Sequence, residues 1–205
     1  MTPPLSWTAW LTSAQAPLAP PRTRGRDTKG WSMHTLTERI DIDAPFERLC
    51  DWADNFEEEF VTWSPYHLEC ELYDGGVTVG SRVRFREIVM GLDYDVTGTI
   101  TQSVRDRDHF RFVFRSDRKT AFITFEGERT ETGSRFSHTE SFGVGTPIIG
   151  PVVNFLIFNV FFRKKANWQL IRDDMILDNR YLKEILEERR YPERISPDEL
   201  KRKRA

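Results

Sequence analysis

Hydrophobic and polar residues alternate along most of the chain between residues 34 and 145, which is the period of a β-strand. Residues 34–43 form the first alternating segment. Six more lie between residues 67 and 145, separated by turns, and they read HLECELY, SRVRFREIVM, LDYDVTGTITQSV, HFRFVFRS, TAFITFEGE and RFSHTESFG. Because no helical period separates these six segments, they predict an antiparallel meander.

Two further segments have a helical period. Residues 46–63 follow Asp43-Ala44-Pro45, where we expect the Asp43 carboxylate to cap a helix and Pro45 to occupy its first turn. This segment predicts one helix and a shorter second one, ending at Trp63-Ser64-Pro65. Residues 152–190 predict a long closing helix with a stripe of residues three and four apart, formed by Trp168, Ile171, Met175, Asp178, Leu182 and Ile185.

This order of elements resembles the START and polyketide-cyclase superfamily. The likeness rests on IDIDAP before an amphipathic helix, on Trp63-Ser64-Pro65 and on the long final helix, and it covers residues 33–190. The resemblance implies an α+β helix-grip domain, in which a curved antiparallel sheet of about seven strands wraps on the C-terminal helix. It also implies a cavity between the sheet and that helix, which holds an apolar small molecule.

The two ends of the chain lack either period. Residues 1–32 are rich in proline, serine, threonine and arginine, and we predict a disordered extension there. Residues 191–205 predict a charged tail. At 205 residues, the chain suits one domain with a substantial core.

Composition narrows the classes of partner. A formal net charge of -2 gives no case for nucleic acid. The apolar run at residues 152–162 is too short to span a bilayer. It could lie on a membrane surface, so a membrane-peripheral lipid carrier is one hypothesis. Cys50 and Cys70 form no metal or redox motif, which favours two reduced thiols and a cytoplasmic location.

Several polar residues occupy positions where the alternation predicts a buried face. His138 and Glu140 share a face with Phe136 and Phe142, and Glu87 shares a face with Val83, Phe85 and Val89. Asp178 lies in the stripe of the closing helix, with Asp174 one turn earlier, and His67 opens the second strand. Buried charges need partners, so we predict that these side chains converge in the cavity.

Two readings of this cluster stay open. His138 can pair with Glu140 or Asp178 in a structural network without chemistry. Alternatively, imidazole and carboxylate groups suit a divalent metal, with His67, Glu87, His138, Asp174 and Asp178 as ligands, His138 and Glu140 as catalytic residues, and Glu140 as the general base.

A second resemblance bears on the metal. Residues 174–182, DMILDNRYL, resemble a degenerate form of the His-x-x-x-Glu helix of diacetylphloroglucinol-hydrolase-like proteins, whose zinc also has a histidine and a glutamate from the sheet. That analogy implies His67 and Glu87 as the sheet ligands. In this chain both helix positions, 174 and 178, are aspartates.

Binding of a hydrophobic small molecule, such as a lipid, a polyketide or an aromatic compound, is therefore the leading hypothesis. A metal-dependent hydrolase or cyclase is the alternative. The residues predicted to contact the ligand are Phe85, Tyr94, Phe112, Phe142, Trp168 and Met175.

Overall fold

The structure is a computed structural model that describes residues 33–89, 92–144, 150, 153–154, 165–196 and 199. Within these residues the elements follow the predicted order. They are β1 His34–Ile42, α1 Phe46–Asp54, α2 Phe56–Trp63, β2 His67–Leu72, β3 Arg82–Val89, β4 Leu92–Arg105, β5 His109–Ser116, β6 Ala121–Arg129, β7 Ser134–Phe142 and α3 Lys165–Glu188. The predicted extension at residues 1–32, most of the apolar run at residues 152–162 and the end of the predicted tail lie outside the described residues.

The strands form one antiparallel sheet of seven strands in the order β1-β7-β6-β5-β4-β3-β2. The six later strands are the predicted meander, and β1 pairs with β7 at its edge. Register shifts between positions 67 and 69 and between positions 100 and 102 break the ladder locally, and such bulges bend a sheet. The predicted α+β helix-grip fold, with a curved sheet and a long C-terminal helix, is confirmed.

The prediction of two short helices after β1 is also confirmed, but the start of α1 differs from the expectation. Pro45 itself is the residue before the first helical turn, and no side chain caps the helix. Asp43 instead donates its backbone N–H to the Glu187 carboxylate. Residue 43 therefore connects the start of α1 to the end of α3 and does not cap the helix.

Aromatic rings fill the end of the sheet that α1 and α2 cover. The Trp52 ring meets the Trp63 ring edge-on at 5.1 Å between centroids, and Phe56 meets Phe112 in the same manner at 5.1 Å. Phe136 is fully buried beside Trp52. Edge-to-face packing of this kind leaves little empty space, so the two short helices fill the concave face of the sheet at this end.

The predicted stripe of α3 faces the sheet. Five of its positions are buried and Trp168 is partly buried, as the spacing requires. α3 lies mainly against β1 and also contacts α2 and β7. The Trp63 indole N–H donates to the backbone carbonyl of Asp178 at 2.6 Å, which joins α2 to α3 inside the protein. None of the described helices has the length and apolar character needed to cross a lipid bilayer.

The outer face of β3 and β4 is held by ion pairs. Alternate residues of β3 are arginines that point away from the core, and each grips one aspartate with two hydrogen bonds. The pairs are Arg82 with Asp117, Arg84 with Asp95, and Arg86 with Asp93. These partially exposed pairs contribute little stability individually, but they place a positive charge beside each aspartate.

The packing of α3 predicts different costs for one substitution at two sites. Leu182 is fully buried against the core, whereas Leu170 on the same helix is 45% exposed. We expect Leu182→Ala to lower the free energy of unfolding by roughly 2–5 kcal/mol because it leaves a cavity, and Leu170→Ala by less than about 1 kcal/mol. Urea denaturation of both variants measures this difference. Equal losses at the two positions would contradict the observed orientation of α3.

Candidate functional site

A cavity of about 790 Å³ lies between the concave face of the sheet and α3. Its apolar wall combines rings from α2 and from the inward positions of β3 to β7 with two side chains of α3. These apolar residues include Phe60, Trp63, Phe85, Val96, Phe114, Ile123, Phe125, Phe142, Ile171 and Met175. The polar lining includes His67, Glu87, His138, Glu140, Asp174 and Asp178, so the residues predicted to converge do converge here.

His67 is held rigidly at one side of this cavity. Its ring stacks on Phe60 with 4.0 Å between centroids and an interplanar angle of 3°. Nδ1 lies 2.9 Å from the Phe60 carbonyl oxygen, which leaves Nε2 to face the carboxylates of Asp178 at 3.4 Å and Glu87 at 3.7 Å. Burial by itself lowers the pKa of His67, but the two carboxylates and the hydrogen bonds outweigh it, so the pKa lies above its ordinary value.

Glu87 is the directly paired neighbour of His67 across the β2–β3 ladder. Its side chain is 28% exposed, and this exposure is toward the cavity. Burial, with a smaller contribution from the nearby Glu140 and Asp178 carboxylates, raises the pKa of Glu87 to about 7, although His67 and His138 act against the rise. Glu87 therefore changes charge near neutral pH.

Among the described polar side chains that line the cavity, His138 has the least complete hydrogen bonding. The ring is only 6% exposed and lies beside Phe125, 4.8 Å between centroids. Nε2 lies 3.3 Å from Glu140 Oε1, yet neither ring nitrogen makes a hydrogen bond of acceptable geometry within the described residues. A buried imidazole in this state is less stable than an imidazole in water, unless a ligand in the cavity forms a hydrogen bond with it.

Four of the six predicted ligand-contacting residues line the cavity, namely Phe85, Tyr94, Phe142 and Met175. The other two lie elsewhere. Phe112 is buried in the aromatic core, and Trp168 packs on His34 and Phe142 without being part of the described lining.

Other aromatic contributors were not predicted as ligand contacts. Phe60 and Trp63 are three residues apart on α2 and point toward the cavity together. Phe114 and Phe125 occupy inward positions of β5 and β6. The i to i+3 aromatic spacing on α2 is the signal in the sequence that would have indicated the first pair.

The predicted metal ligands do not form a metal centre in this arrangement. His67 lies between Glu87 and Asp178, but no three donor atoms of the predicted set come within 4.8 Å of one another in the described residues. The group that does so is His109, Glu126 and Glu128, at the start of β5 and the end of β6. The donors in the cavity therefore do not fit a bound zinc ion, and we derive no chemical step from a metal.

Comparison with known proteins agrees with this architecture. A protein-family model described as polyketide cyclase / dehydrase and lipid transport matches residues 33–164, which is more than half of the chain. The chain belongs to this family. The match to this polyketide cyclase / dehydrase and lipid transport family covers all the sheet residues of the cavity and ends before α3.

Solved structures share the fold of this family member at low sequence identity. TTHA0849 from Thermus thermophilus is 18% identical, with a TM-score of 0.55, and the match covers 75% of this chain and 97% of that one. Major latex-like protein 151 from Panax ginseng is 12% identical, with a TM-score of 0.52 and coverages of 76% and 98%. A search of curated proteins found no match.

The raised pKa of Glu87 predicts how stability changes with pH. In the folded protein Glu87 keeps its proton up to about pH 7, whereas the unfolded chain loses it lower, so unfolding becomes easier as pH rises through this window. The raised pKa of His67 acts in the same direction at and above the ordinary histidine range. Glutamine does not titrate, so this loss is absent in Glu87→Gln. The free energy of unfolding of Glu87→Gln, relative to that of the wild type, should therefore rise by about 1–3 kcal/mol between about pH 5 and pH 8.

Urea denaturation at a series of pH values measures this gain. Glu128→Gln, which removes the same charge from an exposed position on the outer face, is the matched control and should follow the wild type. Parallel pH profiles for Glu87→Gln and the wild type would show that Glu87 does not hold a proton in the folded state.

Proposed function

We propose that the protein binds a hydrophobic small molecule in the cavity under α3, with the polar cluster orienting the bound molecule. The observation that carries this proposal is a cavity of about 790 Å³ walled by aromatic rings, a volume within the range of small-molecule sites. Burial of an apolar molecule there removes the apolar surface of the molecule and that of the cavity wall from water, which is the main favourable contribution to binding. The lipid transport in the family's description supports the same class of ligand.

The polar cluster gives such a site its orientation. Apolar walls accept many molecules, whereas a few fixed hydrogen-bonding groups select one end of a ligand. His67 is fixed by stacking and by the Phe60 carbonyl, and Asp178 is fixed because its backbone holds the Trp63 indole. The bound molecule would therefore place its polar end at β3, β7 and α3 and its apolar body among the rings.

A hydrolase or cyclase remains the second candidate. The favouring observation is that two imidazole–carboxylate contacts, His67 with Asp178 and His138 with Glu140, face one cavity. Such contacts can move a proton to or from a bound substrate. The fold alone does not decide between carrier and enzyme, because function depends on the site. The apolar run that suggested a membrane-peripheral carrier lies mostly outside the described residues.

A cytoplasmic location is part of the proposal. Cys50 and Cys70 are free and buried, so neither forms a disulfide. This state is typical of proteins in a reducing compartment.

Binding is tested with the neutral fluorescent compound N-phenyl-1-naphthylamine (NPN), which brightens in apolar surroundings. We expect saturable binding with a dissociation constant in the micromolar range, on the order of 1–50 μM, as an apolar site of this size gives for a compact aromatic. Val96→Trp narrows the cavity and should raise the dissociation constant by at least about fivefold.

The matched control for this experiment is Val104→Trp on the same strand. Val104 is 56% exposed and far from the cavity lining, so its variant should bind NPN as the wild type does. Equal weakening in both variants, or no saturable binding by the wild type, would contradict a ligand site in this cavity.

Metal analysis tests the metal-dependent form of the second candidate. Because the cavity donors do not gather within ligand distance of one another, we expect less than about a tenth of an equivalent of zinc after gentle purification. About one equivalent of zinc in the wild-type protein, and none in His67→Ala, would contradict this expectation and support the metal hypothesis.

A further inference from the structure

The ionisable groups inside the cavity do not balance. Three carboxylates, those of Glu87, Glu140 and Asp178, line it beside two imidazoles. Even with both imidazoles protonated, this group is negative when the three acids are ionised. Charge of one sign in a low-dielectric space favours a ligand of the opposite sign.

Other charges around the cavity do not correct this imbalance. Three further acids border the cavity, Asp93, Asp95 and Asp117, and each forms an ion pair with an arginine on the outer face of β3. Among the described lining residues, the single arginine or lysine is Arg118, which is exposed at the β5–β6 turn. No described lysine or arginine reaches the interior, so an anionic group placed there would meet only carboxylates and imidazoles.

His138 provides an independent reason to expect a polar ligand group. Its ring is more than nine-tenths buried, it faces the cavity, and both of its nitrogens lack a hydrogen bond within the described residues. Glu140 Oε1, 3.3 Å away, is an acceptor in the same place. A donor group that lies beside this pair could bond to the imidazole nitrogen and to the carboxylate together.

We propose that the ligand of this cavity is a cationic amphiphile, an apolar body that carries a protonated amine, and that the cavity discriminates against fatty acids and other anionic lipids. This inference rests on the proposed binding function and names its ligand class. The ammonium group lies among Glu87, Glu140 and Asp178, to which its N–H groups donate. A ring nitrogen of His138 accepts one of these bonds. The apolar body lies against the rings of Phe85, Phe114 and Phe125.

The physical basis is the different free-energy cost of removing water from three kinds of head group: an ammonium, a hydroxyl and a carboxylate. An ammonium loses water but gains charge-assisted hydrogen bonds from fixed acceptors. An alcohol loses less hydration and donates one hydrogen bond to a carboxylate, without the attraction between opposite charges. A carboxylate loses water and then lies against like charges unless it or its neighbours take up protons.

Three ligands with one alkyl chain separate these cases: dodecylamine, dodecanol and dodecanoate, each competing with NPN below its micelle concentration near neutral pH. We expect dodecylamine to bind at least tenfold more tightly than dodecanoate, with dodecanol between them. A dissociation constant for dodecanoate equal to or lower than that of dodecylamine would overturn the ligand class while leaving the binding function intact. Absence of NPN binding by the wild type would instead overturn the binding function, and this inference with it.

Isosteric variants locate the source of the preference. Glu140→Gln and Glu87→Gln each remove one interior carboxylate, and each should reduce the ratio of dodecylamine to dodecanoate affinity at least threefold while dodecanol affinity changes less than twofold. Glu128→Gln removes an exposed carboxylate from the outer face and should leave the ratio unchanged. Two interior variants keep the test usable if one folds poorly. A ratio that is the same in all three variants as in the wild type would overturn the proposal.

Discussion

The contact between the stripe of α3 and the concave face of the sheet is the constraint on which the rest of the molecule depends. α3 buries Met175, Leu182 and Ile185 against the sheet side of the protein, and the same contact buries Asp178 because it occupies the same stripe. The indole N–H of Trp63 then donates to the backbone carbonyl of Asp178, which joins α2 to α3 at this position. The carboxylate of residue 178 is thereby held opposite His67.

Two ends of the concave face are filled differently, and this difference makes the cavity. At one end α1 and α2 insert Trp52 and Phe56 among the inward rings of the sheet, and little space is left. Toward the other end the inward positions carry Glu87, His138 and Glu140, which cannot pack as rings do. Polar groups there need partners, so the space beside them is suited to a guest that supplies hydrogen bonds.

The polar cluster is a single electrostatic unit. The pKa of Glu87 responds to burial and to His67, Glu140, Asp178 and His138, which come from three different elements. A substitution at any of these positions should therefore change the pKa of Glu87, and effects within the cluster will not add. The architecture shared with the family forms the cavity, whereas the side chains of this particular chain determine the charge inside it.

Much of the architecture is determined by local periodicity in the sequence. The alternation of β3 and β7 showed which side chains face inward, and the spacing of α3 showed the stripe, because strand and helix geometry relate position to direction without knowledge of the fold. Depth within the cavity was decided only by the tertiary structure. Phe112 and Phe114 have the same parity on β5, yet Phe112 packs under Phe56 while Phe114 lines the cavity. The pairing of His67 with Asp178 and the unbonded nitrogens of His138 are likewise tertiary, because periodicity specifies the face of an element but not what lies opposite.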